Sequence, residues 1–148
     1  ISENTLSGIV VATGSAFIAM NRISGNGGVG VSVNIGAADL GGGNLISDNA
    51  GGGIGLRMAS AIVGNPAFGF STVNTIERNG GFGGVNAFLD SSLAMRDAVV
   101  RDNLGAGIVL ATRSNLQLSS STIQGNRTVG NNLSSPARQE KRLSKRSK

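Results

Sequence analysis

The chain has 148 residues, including 24 glycines, and it contains no cysteine, histidine or tryptophan. The missing cysteine excludes disulfides and thiolate metal ligands, and the missing histidine excludes imidazole acid–base chemistry. The net charge of +5 belongs to residues 131–148, which hold six of the 13 basic residues and one acid, whereas the rest of the chain carries seven arginines and seven acids.

One pattern recurs along the chain. It consists of an aliphatic residue, an asparagine three positions later and then, after four more positions, a glycine followed by another aliphatic residue. The copies begin at Ile1, Ile23, Ile46, Ile76, Val100 and Ile123; the copy at Ile76 is one residue longer, and the copy at Ile123 has Asn131 in place of the last aliphatic residue. Their spacings of 22, 23, 30, 24 and 23 residues are typical of a solenoid, in which each repeat packs on its neighbours. The longest interval predicts a loop of about seven extra residues around Pro66.

Within each repeat the aliphatic residues alternate in twos, as in Val31 and Val33, and this period predicts strands. A second alternating segment, with Ile18 and Met20 as an example, precedes the asparagine pattern, and the first aliphatic residue of that pattern supplies a third short strand. Repeats of this length leave no room for a helix. The sequence therefore predicts an all-β fold, a parallel β-helix of about six turns over residues 1–130.

The recurring asparagines predict a ladder along one corner of the coil, in which each amide donates to the carbonyl of the next turn and satisfies groups that would otherwise be buried unpaired. Its members are Asn4, Asn26, Asn49, Asn79, Asn103 and Asn126. Asparagine tolerates the left-handed backbone of a sharp corner. The glycine before each inward aliphatic residue fits a tight turn into the next strand. A second, partial column contains Asn21, Asn44 and Asn74.

The turns that read SNLQLSSSTIQGN and VRDNLGAGIVL resemble the right-handed parallel β-helix repeats of the pectin-lyase-like superfamily. The resemblance covers about residues 1–130 and implies the fold. It implies little about function, because that superfamily includes polysaccharide lyases and hydrolases, epimerases, phage tailspikes, adhesins and surface proteins. The N-T-D, D-D, G-H-G and R-I-K motifs of the family's hydrolases do not occur in this sequence.

Charged residues precede the ladder asparagines on three successive turns, at Asp48, Arg78 and Asp102. At the ~4.8 Å spacing of neighbouring strands they are predicted to stack, either as a site for a charged sugar or a cation or as an exposed ion-pair ladder. Resemblance to the family's lyases implies Asp48 and Asp102 as calcium ligands and Arg57 or Arg78 as the base. Without lyase activity no cofactor is expected. An arginine that neutralises both acids would leave neither one poised for catalysis.

A second candidate site lies on the outward face of the strand that follows the glycine. Asn34, Arg57 and Phe88 fall in one column, and Asn86 and Asp90 stand two positions before and after Phe88. These five residues predict a polar groove with Phe88 as its apolar floor, suited to a sugar that packs on an aromatic ring. The alternative is a solvated sheet face.

Residues 131–148 break the repeat, and their serines, Pro136 and spaced cations predict a disordered tail that either binds polyanions or serves as a linker. The chain starts inside a repeat, so we interpret it as a piece of a longer protein whose exposed strand edges associate. The neutral body, poor in aromatic residues, is not expected to bind nucleic acid. No apolar run approaches the length of a membrane span.

These patterns together predict a non-catalytic repeat segment of a secreted or cell-surface protein, with a structural role or a role in binding a glycan or another partner. One alternative is a fragment of a lyase or hydrolase that acts on acidic polysaccharide. The other is a polyanion-binding module that works through residues 131–148, and it predicts that deletion of this tail abolishes retention on heparin.

Overall fold

Three parallel sheets form the walls of a solenoid. The computed structural model describes residues 1–64 and 72–127, and it forms 15 short strands and no helix in those residues. Sheet 1 contains β1 (Ile9–Val11), β4 (Val29–Asn34), β7 (Gly52–Arg57), β10 (Gly83–Phe88) and β13 (Ala106–Leu110). Sheet 2 contains β2 (Gly14–Ile18), β5 (Gly36–Leu40), β8 (Ser60–Val63), β11 (Ser92–Arg96) and β14 (Asn115–Ser119). Sheet 3 contains β3 (Arg22–Ser24), β6 (Leu45–Ser47), β9 (Asn74–Glu77), β12 (Ala98–Arg101) and β15 (Thr122–Gln124).

Each strand pairs in parallel with the strand three places further along the chain, so three consecutive strands make one turn. Val31, for example, lies opposite Ile54, and Ile54 lies opposite Val85. The predicted strands are thereby confirmed. The described residues form five turns instead of about six, because the first repeat contributes only a bridge from Ser2 to Ser24 before β1 begins. The loop predicted around Pro66 and the predicted tail lie outside the described residues.

The core fills the space between the three sheets with columns of aliphatic side chains. In sheet 3 the column contains Ile23, Ile46, Ile76 and Val100, all fully buried. Burying each such side chain stabilises the fold by roughly 1.5–3 kcal/mol. Met20 does not continue the alternation of β2 as predicted, because the chain leaves the strand at Ile18 and turns a corner. Met20 has a φ of 57° there and is 69% exposed.

The asparagine ladder is confirmed in its hydrogen bonds. Asn49 shows the pattern, since its backbone N and its side-chain Nδ2 both donate to Oδ1 of Asn79, over 3.1 and 3.0 Å. The same Nδ2 donates over 3.1 Å to the carbonyl of Ile23 on the preceding turn. One side chain thus hydrogen-bonds to both neighbouring turns, at a corner that lies between the paired strands of two sheets.

The left-handed backbone at this corner belongs to the residue before each asparagine and not to the asparagine itself, which corrects the expectation from sequence. The residues concerned are Glu3, Gly25, Asp48, Arg78, Asp102 and Gly125, with φ between 52° and 67°. A left-handed residue reverses the chain direction sharply, and the asparagine that follows it points its side chain into the coil. The strain of a non-glycine residue with positive φ is about 1 kcal/mol or more.

The glycine before each inward aliphatic residue is needed for space, and the predicted tight turn is wrong. At Gly30 a Cβ atom would lie 2.7 Å from Cγ2 of Ile46 and 2.8 Å from Nδ2 of Asn49, both on the next turn. Gly8 and Gly107 show the same close approach, and none of the three has a positive φ. The asparagine of one turn therefore stacks directly on the glycine of the turn before.

The other two corners carry polar ladders as well. Between sheets 2 and 3, Oδ1 of Asn44 accepts from the backbone N of Asn21, and Oδ1 of Asn74 accepts from Asn44, each over 3.0 Å. Between sheets 1 and 2, buried Ser91 and Ser114 take this role, and the Ser114 hydroxyl accepts from the backbone N of Ser91 over 3.2 Å. The serine ladder was not predicted, because it occupies only these positions of its column and leaves no period in the sequence.

Candidate functional site

The first candidate site is the corner where sheet 3 ends and the ladder begins. Asp48, Arg78 and Asp102 lie on three successive turns here, as predicted from their spacing. The backbone N of Asp48 donates to the carbonyl of Glu77, and the backbone N of Arg78 donates to the carbonyl of Arg101. These bonds hold the three left-handed residues in register, so their side chains share one exposed edge of the coil.

Arg78 binds only one of the two predicted acids. Its Nε and Nη2 donate to both carboxylate oxygens of Asp48, over 2.9 and 3.0 Å. Its Nη1 donates to Glu77, its neighbour in the chain. The Arg78 guanidinium lowers the pKa of Asp48, and the two carboxylates, Asp48 first, raise the pKa of Arg78. A fork of this kind fixes the guanidinium in place.

The third charge, Asp102, pairs with Arg101 instead of Arg78. Arg101 donates from Nε to Glu77 over 2.8 Å, and the same nitrogen lies 3.9 Å from Asp102 Oδ2. Burial raises the pKa of Glu77, whose side chain is only 7% exposed, but the hydrogen bonds from Arg101 and Arg78 outweigh it, so the pKa is lowered overall. The carboxylate, guanidinium, carboxylate sandwich predicted from sequence is therefore not formed.

Glu77 and Arg101 are the two residues of this network that sequence reasoning missed. They lie opposite each other in sheet 3, on β9 and β12. The sequence does carry a signal for this pair, because the position after the first aliphatic residue of the repeat is Glu77 on one turn and Arg101 on the next. We call the five residues the corner network: Asp48, Glu77, Arg78, Arg101 and Asp102.

The chemistry open to the corner network is limited by its internal pairing. A general base works best with a pKa near the operating pH, whereas Asp48 and Glu77 have lowered pKa values and the pKa of Arg78 is raised. Arg78 therefore holds its proton more firmly than an ordinary arginine, which disfavours the role of base that the family resemblance implied. No group of three acidic side chains suited to a metal ion occurs in residues 1–64 and 72–127.

The second candidate site lies on the outer face of sheet 1. The register places Asn34 opposite Arg57 and Arg57 opposite Phe88, so the predicted column is present. Arg57 is exposed, whereas Asn34, Phe88 and Asn86 are partly buried. Asn34 Nδ2 donates over 3.3 Å to the hydroxyl of Ser32 on the same face. An aromatic ring, a guanidinium and two amides thus share one sheet face.

Asp90, the fifth predicted member of the groove, lies past the end of β10 and binds Arg113 on the next turn. Its two carboxylate oxygens accept from Nε and Nη2 of Arg113, over 2.6 and 2.8 Å, and the arginine lowers the pKa of Asp90. The pair stands at an exposed corner and not over Phe88, so the sheet 1 face consists of Asn34, Arg57, Asn86 and Phe88.

In the described part of the chain, no helix is long and apolar enough to cross a membrane.

Comparison with known proteins bears on the fold. A family model described as the right-handed β-helix region matches residues 1–139. Searches of curated proteins and of solved structures found no match. The match covers nearly all of the chain, and it agrees with the three parallel sheets and with the asparagine ladder between sheets 3 and 1. The chain therefore belongs to the right-handed β-helix family.

Proposed function

We propose that this chain is a non-catalytic β-helix segment of a secreted or surface-exposed protein and that it presents the outer face of sheet 1 to a glycan. One observation carries the non-catalytic part. The charged side chains at the corner are hydrogen-bonded to one another, and the pKa values of Asp48 and Glu77 are lowered. Residues that stabilise a corner in this way are not poised to move protons.

The glycan-binding part of the proposal is supported by the composition and alignment of the sheet 1 face. Arg57 is exposed between Asn34 and Phe88, one on each neighbouring strand. Amides and a guanidinium hydrogen-bond sugar hydroxyls, and the apolar side of a sugar ring packs on an aromatic ring. The parallel register repeats this face at the spacing of the turns, which suits an extended ligand.

A glycan array probed with the full chain tests this proposal. We expect binding to some arrayed glycans and an affinity at least fivefold lower for Arg57→Ala. Arg96→Ala is the matched control, because Arg96 is an exposed arginine on sheet 2 and its removal should leave binding unchanged. A chain that binds no glycan, or binding that both variants weaken equally, would contradict the role of the sheet 1 face.

A further inference from the structure

Gly55 is a glycine that the fold itself does not require. It lies between the buried residues Ile54 and Leu56 in β7, so its position faces outward, and it is partly exposed. Its φ is not positive, and a Cβ atom there would meet its nearest neighbours at 3.6 Å, an ordinary van der Waals distance. A glycine inside a strand weakens the sheet, and it often marks a place where a ligand approaches the backbone closely.

Two apolar side chains, one from each neighbouring strand, border the space above Gly55. Val29, the first residue of β4, places Cγ1 3.6 Å from the position of that Cβ atom, and Phe82, directly before β10, places Cζ at the same distance. Both side chains are partly buried. We call this space the Gly55 notch, formed by Val29, Gly55 and Phe82. Its width between these two side chains suits one methyl group.

Polar side chains stand directly beside the notch. The register places Ser32 opposite Gly55 on one side and Asn86 opposite Gly55 on the other, at the ~4.8 Å spacing of neighbouring strands. The Ser32 hydroxyl accepts from Asn34 and keeps its own hydrogen to donate. The Asn86 side chain makes no hydrogen bond to any other residue that the structure describes. Its amide therefore offers both donors and an acceptor to a ligand.

This combination matches an acetamido group better than the other common substituents of a sugar. An acetamido group carries a methyl beside an amide N–H and C=O, so its methyl fits the apolar notch while its amide pairs with Asn86. A hydroxyl or a carboxylate placed between Val29 and Phe82 would lose hydration without gaining a partner there. Phe88 lies two positions beyond Asn86, about 7 Å along the same strand, so a sugar ring on Phe88 directs a substituent towards the notch.

We propose that the Gly55 notch binds the acetamido methyl of an N-acetylhexosamine. The inference rests on the proposed function, because it names the class of sugar that the outer face of sheet 1 selects. The methyl group enters the notch between Val29 and Phe82, and the Asn86 amide hydrogen-bonds the acetamido group.

An NMR titration of the 15N-labelled full chain tests the inference with two trisaccharides, triacetylchitotriose and cellotriose. They share the β-1,4-linked backbone, and cellotriose has a hydroxyl in place of each acetamido group. We expect triacetylchitotriose to shift the amide signals of Ser32, Gly55 and Asn86 saturably and to bind at least about tenfold more tightly than cellotriose. Burial of a methyl group and one amide hydrogen bond each contribute a few-fold to this difference.

Gly55→Ala locates the binding, because its methyl group fills the notch. The variant should fold, since the space and the backbone accept a Cβ atom. We expect the affinity for triacetylchitotriose to fall at least fivefold and the affinity for cellotriose to stay within twofold. Ser92→Thr is the matched control, because it adds a methyl group to an exposed position of sheet 2 and should change neither affinity.

Equal affinity for the two trisaccharides, no binding of triacetylchitotriose, or binding unaffected by Gly55→Ala would overturn the inference. Array binding that Arg57→Ala weakens would still leave the proposed function standing in each of these cases. A chain that binds no arrayed glycan removes both, so the two failures are distinguishable.

Discussion

Asn103 shows how much of the fold one side chain holds. Its Nδ2 donates to Oδ1 of Asn126 and to the carbonyl of Ile76, and its Oδ1 accepts from the backbone N and the Nδ2 of Asn79. The residue is fully buried. Removing such a side chain leaves buried donors and acceptors without partners on two turns, which costs more than the hydrogen bonds themselves contribute.

We predict that Asn103→Ala lowers the free energy of unfolding by about 3 kcal/mol or more, and Asn21→Ala by about 1 kcal/mol. Asn21 is the control, because it is only partly buried and its side chain makes one local hydrogen bond, to the carbonyl of Ala19 over 2.7 Å. Urea denaturation at neutral pH measures both. Equal losses would mean that the ladder is not what holds this corner.

Gly30 and Gly14 illustrate two different reasons why the fold requires a glycine, namely lack of space for a Cβ atom and a positive φ. At Gly30 a Cβ would press on Ile46, Asn49 and the carbonyl oxygen of Gly53, whereas Gly14 has a φ of 84° and open space around it. We predict that Gly30→Ala destabilises by about 3 kcal/mol, through overpacking, and Gly14→Ala by about 1 kcal/mol, through backbone strain. Thermal melts compare them. A larger loss at Gly14 would show that positive φ, and not space, limits this fold.

At the residue scale, the period of the sequence was enough to place the ladder but not to explain it. The asparagines were found because each turn repeats them. The sequence led us to assign the left-handed backbone to the asparagines themselves, because the residue before each asparagine varies from glycine to arginine and carries no compositional signal. The glycine was attributed to a turn, since a sequence does not show that the next turn's asparagine lies against it.

At the scale of the strands, one aliphatic column tests how stability is distributed along the coil. Ile76 lies in β9 and is fully buried, whereas Ile123 holds the equivalent position in β15 and is 37% exposed. We predict that Ile76→Ala costs about 4 kcal/mol, from lost burial and the cavity left behind, and Ile123→Ala about 1 kcal/mol. Urea midpoints of the two variants check this. Similar losses would contradict the burial gradient.

The corner network gives the fold a pH dependence whose sign follows from the pKa shifts. The pKa values of Glu77 and Asp48 are lowered in the folded chain from ordinary values of 4.5 and 3.8, so their contribution to stability is complete above those values. It is lost as the pH falls through the lowered values, when the folded carboxylates must also take up protons.

We therefore predict that the urea midpoint of the native sequence falls as the pH drops below about 4.5, and that Glu77→Gln reduces this dependence. Asp90→Asn is the control. Its carboxylate also pairs with an arginine, but both side chains are more than half exposed and the pair is screened by solvent, so its effect on the slope should be smaller. A slope that Asp90→Asn reduces more than Glu77→Gln would contradict the importance of the buried carboxylate.

The strands themselves could be predicted because alternation with a period of two is a local property, and the register then followed from aligning the repeats. The pairing of the charged side chains could not be predicted. The repeat spacing places Asp48, Arg78 and Asp102 correctly on one corner. Which of the nearby carboxylates Arg78 binds depends on side-chain geometry, and it binds Asp48 and Glu77 instead of Asp102. Aligning the repeats at one position does not predict this pairing, because Glu77 lies at the neighbouring position of the repeat.

At the scale of the whole molecule, the regular coil places like residues on like faces, so each wall has its own character. Sheet 1 exposes a polar face with Arg57 and Phe88, and sheet 2 exposes the apolar side chains of Phe17 and Ile62. The charges of residues 1–130 balance, and several of them pair across adjacent turns. We propose that these paired charges stabilise the scaffold and perform no catalysis.

The most direct test incubates the full chain with acidic and neutral polysaccharides, with and without calcium, and follows the formation of new chain ends over time. We predict no cleavage above that of a chain-free control under any condition. Calcium-dependent cleavage that is lost in Arg78→Ala or Arg57→Ala but retained in Arg96→Ala would contradict the claim and would make the corner network or the sheet 1 face an active site.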